Sequence, residues 1–273
     1  MKNKKIRIFL FLLLSLVANQ LFSQRKTKQI KLLEKYSYLM VGLKTIDGKQ
    51  TFYPIGTCFF ARRKSDLFFI TSKHGVNGYN TFNLRPTASQ YDTIGFRYYN
   101  TDTKEICFRS LNVLDIKHYL PNTYFYDTPD FVVFKMNDPK IEKYINSLES
   151  YMFLDNSKTG ELESLISIGY AFYDAIKFSK TISPTYYIGV LADSSTLDPY
   201  YPLNKSIYFV SHPKSIQGMS GAPVFGLYGY KRKKKLIKFG GVIFGSNDPF
   251  NSAYIVNPEI VESQVKDFLT APR

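Results

Sequence analysis

Three residues of this 273-residue chain stand where an apolar run meets a turn, and together they have the means to move a proton. His74 follows Phe69-Ile70-Thr71-Ser72-Lys73, downstream of Gly56-Thr57-Cys58-Phe59-Phe60. An imidazole titrates near neutral pH, so beside a cleft it is a general base, and elsewhere an ordinary polar residue at a strand end. Asp130 opens the apolar run Phe131-Val132-Val133-Phe134. A carboxylate next to a core needs a strong donor, which an imidazole N–H supplies. Capping the strand entrance is its other role, and Asp127 places a second acid in the same loop. Ser220 lies in Gln217-Gly218-Met219-Ser220-Gly221-Ala222-Pro223-Val224-Phe225. Glycines this close to a serine let the backbone turn sharply and aim the amides of Gly218 and Ser220 at one point, as an oxyanion hole requires. A plain Gly-rich turn has the same composition. The serine segment is the most specific of the three.

Taken together, these segments resemble the chymotrypsin-like serine peptidases. The shared pattern is a strand followed by (T/S)-x-x-H, an Asp-led apolar strand, and G-x-S-G-x-P running into a further strand. The resemblance covers nearly the whole chain beyond its first residues, with His74 to Asp130 and Asp130 to Ser220 separated by 56 and 90 residues. It implies a His74-Asp130-Ser220 triad, an oxyanion hole from the amides of Gly218 and Ser220, an acyl-enzyme intermediate and no cofactor. Met219 stands where the zymogen-activated branch carries an Asp, so the chain is closer to the bacterial branch of Deg-type and glutamyl-specific endopeptidases. By the same resemblance, Lys214 and Ser215 form the base of a substrate pocket, with Val242, Gly245 and Ser246 in its other wall. Lys214, assisted by His212, either receives an acidic side chain there or extends into solvent. The alternative function is a catalytically silent module of the same scaffold, binding a partner through a basic, Tyr-rich surface.

Chain order disposes of other nucleophile systems. An α/β-hydrolase has its His after the nucleophile, whereas His74, His118 and His212 all precede Ser220. A subtilisin-like order with Asp47 or Asp66 ahead of His74 requires alternating helices and strands, which the chain lacks. A Cys58–His212 pair gives the thiol no activating neighbour. The spacing of His and Cys residues matches no zinc motif, so no metal is expected.

The elements that must position these groups read as strands. Runs rich in aromatic and β-branched residues occur at Tyr36 to Lys44, Phe52 to Arg62, Leu67 to Thr71, Arg97 to Asn100, Ile106 to Ile116 and Phe131 to Met136. They resume at Leu165 to Phe172, Tyr186 to Leu191, Ile207 to Ser211, Pro223 to Leu227, Leu236 to Phe244 and Ala253 to Val256. Asn257-Pro258-Glu259 opens a closing helix, with Ile260, Val261, Val265 and Leu269 on one face. The expected fold is all-β: two six-stranded antiparallel β-barrels packed side by side, with a C-terminal α-helix. The first barrel, over 24–136, carries His74 and Asp130. A linker follows at 137–163, and the second barrel with the helix spans 164–273.

Residues 1–23 read as a secretory signal peptide, with Lys2, Lys4, Lys5 and Arg7 ahead of the apolar run Ile8 to Ala18. That run of 11 residues falls short of the roughly 20 that span a bilayer, although an uncleaved anchor is the competing reading. Cleavage near Ser23 leaves a 250-residue secreted or periplasmic protein with no transmembrane segment. Losing four basic residues and no acidic one lowers the formal charge from +14 to +10, which favours anionic partners without naming one. Lys231-Arg232-Lys233-Lys234-Lys235 reads as a solvated hairpin tip or as a contact for an anionic surface or polymer, with no specific nucleic acid implied. Cys58 and Cys107 are either a disulfide or two thiols.

Overall fold

Runs rich in aromatic and β-branched residues, buried over much of their length, make the first half of the chain a sheet. The computed structural model describes residues 30–77, 91–111, 129–136, 138–149, 152, 162–170, 184–191, 208–212, 218–230, 234–247 and 251–270. The first sheet comprises β1 (Ser37–Ile46), β2 (Lys49–Arg63), β3 (Asp66–Thr71), β4 (Thr93–Asn100), β5 (Glu105–Leu111) and β6 (Val132–Met136), ordered β5-β4-β1-β2-β3-β6. Asp47 and Gly48 join β1 to β2, both with positive φ (50° and 75°), as a tight hairpin turn demands. Phe60 of β2 packs edge-on against Tyr38, Phe69 and Phe96, with ring centroids 5.1, 5.5 and 5.0 Å away.

The second set of strands is β7 (Leu162–Gly169), β8 (Thr185–Leu191), β9 (Tyr208–His212), β10 (Pro223–Tyr230), β11 (Lys234–Asn247) and β12 (Ser252–Val256). These run β10-β11-β12-β9-β8-β7 and close on themselves, because β7 also pairs with β10. Among the described residues, the β8–β9 seam that completes the closure holds the pairs Val190↔His212 and Leu191↔Ser211. The C-terminal helix, Pro258–Thr270, lies against β11 and β6, burying Val261 and Val265 completely.

The expectation of two six-stranded barrels is therefore wrong. The first six strands form an open sheet, with β5 and β6 as its two edges and no pairing between them among the described residues. The physical reason lies in β5, where Glu105, Ile106, Arg109 and Ser110 are all exposed. A strand with exposed side chains on both faces, Glu105 and Arg109 on one and Ile106 and Ser110 on the other, is suited to ending a sheet and not to closing one. The expected linker also contains structure: a short helix at Pro139–Glu142, capped by Asp138, whose side chain accepts the Lys140 N–H at 3.1 Å. Within 152–170, β7 begins at Leu162.

β2 holds the two halves together because it is buried on both faces. Its alternation sends Cys58 and Phe60 into the first core, and Thr57 and Phe59 toward the second half, where Phe59 meets Phe239 of β11 at 5.4 Å. Ser37 of β1 donates to the Ile168 carbonyl of β7 at 2.7 Å along the same seam. Arg63, at the end of β2, pairs with Glu262 of the C-terminal helix at 3.0 Å.

The sheet order also answers the cysteine question. Cys58 on β2 and Cys107 on β5 have β1 and β4 between them. Three strand spacings of about 4.8 Å put the two about 14 Å apart. A disulfide needs Cα atoms within about 7 Å, so both are free thiols.

Phe60→Ala removes a ring that is 0% exposed at the centre of the aromatic cluster. The expected loss is about 3–5 kcal/mol in a denaturant titration, whereas a loss below about 1 kcal/mol would show that this cluster is not the core.

Candidate active site

Asp130 and His74 are brought together by the pairing of β3 with β6. Thr71 lies opposite Val132 in that ladder, so the residues just after β3 face those just before β6. The turn Lys73–Asn77 lifts His74 beside Asp130. Both carboxylate oxygens are then engaged: Oδ1 accepts the His74 backbone N–H at 3.0 Å, and Oδ2 lies 2.6 Å from His74 Nδ1. A buried carboxylate only accepts, so Nδ1 carries the proton and Nε2 of the neutral ring keeps its lone pair. Asp130 is 4% exposed and the His74 side chain 22%, so the acid is sealed while part of the imidazole remains open.

Two effects compete for the charge on that imidazole. Burial disfavours the imidazolium, and the charge and hydrogen bond of Asp130 favour it more strongly. The outcome is a His74 pKa above its ordinary 6.5. Lys73 is affected the other way: burial pushes its ammonium below the usual lysine range, and Asp130 only partly opposes that shift.

The serine segment docks on the same strand end. Thr57 N–H donates to the Ser220 carbonyl at 2.8 Å. Thr57 Oγ1 donates to the Gly218 carbonyl at 2.9 Å and accepts the Tyr170 N–H at 2.9 Å. Thr71 Oγ1 donates to the Thr57 carbonyl at 2.7 Å. Gly221, at φ +85°, approaches so closely that a Cβ there would strike the Thr57 carbonyl and the Thr71 hydroxyl, and would lie 2.9 Å from Ser72 N. Only glycine fits that position. Inside the turn, Gly221 N–H donates to the Ile243 carbonyl at 2.7 Å and Ala222 N–H to the Met219 carbonyl at 2.8 Å. Among the described residues, the amides of Gly218 and Ser220 meet no acceptor.

The remaining sequence-derived residues divide plainly. Lys214 and Ser215 lie outside the described residues, as do residues 1–23, His118 and 231–233 of the basic run. Val242 of β11 is fully buried opposite Pro223 and Val256. Gly245 and Ser246 are half-buried opposite Tyr254 and Ala253. Cys58 is sealed in the first core, and burial pushes its thiol well above the usual range, the reverse of what a nucleophile needs. Among the described residues, no group of three or more His, Cys, Asp or Glu is placed to hold a metal. None of the described helices is long and apolar enough to cross a membrane. Reading the sequence missed Thr57 and Thr71 as functional neighbours. Their signal was a hydroxyl inside an apolar strand, which must find a partner once buried.

By sequence, no protein-family model and no curated protein matches this chain. By structure it is similar to a solved chain titled "Structure of GrC", with a TM-score of 0.52 and 14% identity. The alignment covers 87% of this chain and 95% of that one. This likeness is one of fold.

The His74–Asp130 pair sets a titration that can be read directly. The folded pKa is raised, so the pair's contribution to stability is complete below about pH 6.5 and fades as the pH climbs through the folded value. In an NMR titration the His74 ring is expected to have its midpoint above 6.5, and in Asp130→Asn, with burial left unopposed, below it. An unchanged midpoint in the variant would rule out Asp130 as the cause.

Proposed function

We propose that this chain is an exported serine endopeptidase. In this reading Ser220 is the nucleophile, His74 the general base, Asp130 the group that orients and charges the imidazole, and the amides of Gly218 and Ser220 the oxyanion hole. One observation carries it: an imidazole held by a buried carboxylate rises from the strand end on which the Ser220 turn is seated. The GrC-like fold and the leader-like residues 1–23 support it from two other directions.

The chemistry follows from the tautomer. His74 Nε2 takes the Ser220 proton as Oγ attacks a carbonyl carbon, and Asp130 stabilises the imidazolium that results. The developing oxyanion receives two amide hydrogen bonds, each worth about 3 kcal/mol. Collapse expels the amine, protonated by His74. Water then releases the acyl group with His74 again as base. The substrate is a protein or peptide, and of the pocket that the family resemblance implies, Gly245 and Ser246 are half-buried. In that resemblance Lys214, outside the described residues, receives an acidic side chain or extends into solvent, and the basic run Lys231–Lys235 is a contact for anionic surfaces.

A serine-directed fluorophosphonate probe tests the proposal. Wild-type protein is expected to label at a rate that rises with pH through a midpoint above 6.5, as His74 loses its proton. Ser220→Ala abolishes labelling, and His74→Ala lowers peptide turnover about 10⁴- to 10⁶-fold. A folded wild type that never labels is instead the silent binding module.

A further inference from the structure

We infer that Thr57 is a positioning residue for the nucleophile turn, its hydroxyl fixing the peptide plane that leads into the one carrying the Ser220 amide. This rests on the serine-peptidase reading above and adds to it a residue that makes no contact with the reacting atoms. The peptide unit is planar, so a fixed C=O also fixes the N–H on its far side. Three consecutive planes surround Ser220, and each has an anchored carbonyl.

The Gly218 carbonyl is held by Thr57 Oγ1 at 2.9 Å, the Met219 carbonyl by Ala222 N–H at 2.8 Å, and the Ser220 carbonyl by Thr57 N–H at 2.8 Å. Thr57 therefore grips the first plane with its side chain and the third with its backbone, and the turn ties the middle one to itself. The middle plane carries the Ser220 N–H, so its direction is set by the planes on either side.

The first plane is the one that needs an external hold. Gly218 sits at φ +99°, and a glycine rotates there with little steric resistance. Nor is the direction of the hydroxyl left to chance. Thr57 Oγ1 already accepts the Tyr170 N–H at 2.9 Å, so its one hydrogen goes to the Gly218 carbonyl. Tyr170 is itself tied down, its own hydroxyl donating to the Ser37 carbonyl at 3.3 Å. Thr57 is 0% exposed, so no water replaces a lost hydroxyl without rearrangement. Such a residue acts on how fast acylation occurs rather than on how well the substrate binds.

The test compares Thr57→Val, which keeps the shape and removes the hydroxyl, with Thr57→Ser, which keeps the hydroxyl. Fluorophosphonate labelling rates and the kcat and KM of an ester substrate are read at 25 °C, with a thermal melt of each variant to show that it is folded. Thr57→Val is expected to label about 10- to 100-fold more slowly, through kcat with KM nearly unchanged, the scale expected for a misplaced reacting group. Thr57→Ser stays within about 3-fold of wild type, even where its melting point falls below that of the Val variant. Thr57→Ala repeats the comparison without a methyl against the Gly218 carbonyl, should Val fold poorly. Equal labelling of wild type and a folded Val or Ala variant overturns the inference and leaves the peptidase reading intact. A Ser variant as slow as the Val one also overturns it, because rate would then follow packing. A wild type that does not label removes both.

Discussion

A strand buried on both faces is the constraint from which the rest of this structure follows. β2 lends alternate side chains to two different neighbours, Phe60 to the first core and Phe59 to Phe239 across the seam. Between Gly56 and Ala61 its polar atoms are shut off from solvent, so each must bond to one half or the other. At Thr57 that requirement turns into geometry: the N–H and hydroxyl reach the Gly218–Ser220 turn, while the carbonyl is taken by Thr71. The residue that satisfies the strand's own hydrogen bonding thereby sets where the serine turn sits relative to the end of β3. Gly221 makes the approach close enough to matter, since a side chain there would lift the turn off the strand.

The acid–base pair obeys a similar logic of burial. Asp130 is too enclosed to remain ionised alone, and its two oxygens find two donors on a single residue, His74. Charge and hydrogen bonding outweigh the desolvation of the ring, so the pair gives most stability at the acidic pH where the imidazole is protonated and cannot act as a base. Stability and general-base function thus run in opposite directions across the same titration. The amides of Gly218 and Ser220 carry no titration of their own.

What the sequence made legible were the features with a local signature. The histidine after an apolar strand, the Asp-led strand and the glycine-flanked serine were each visible as residue patterns. The Asp47-Gly48 hairpin and the C-terminal helix were visible for the same reason. Closure of the first sheet was not legible, because it depends on whether β5 and β6 meet, and the exposure of β5 on both faces is visible only once the sheet is folded. The fate of the cysteines was hidden likewise: both lie in strand-like runs, and only the order β5-β4-β1-β2 separates them. Thr57 carries no local mark of its position beneath the serine turn, since its partners, Gly218 and Tyr170, lie 161 and 113 residues away.

In the proposed mechanism Ser220 and His74, one from each half of the molecule, share a proton. A high-resolution crystal structure of the unmodified protein tests it most directly, through the separation of Ser220 Oγ and His74 Nε2. The account predicts a separation of about 2.6–3.2 Å, with Asp130 on the opposite nitrogen. A Ser220 hydroxyl turned away from the ring, with another group hydrogen-bonded to Nε2, would contradict it.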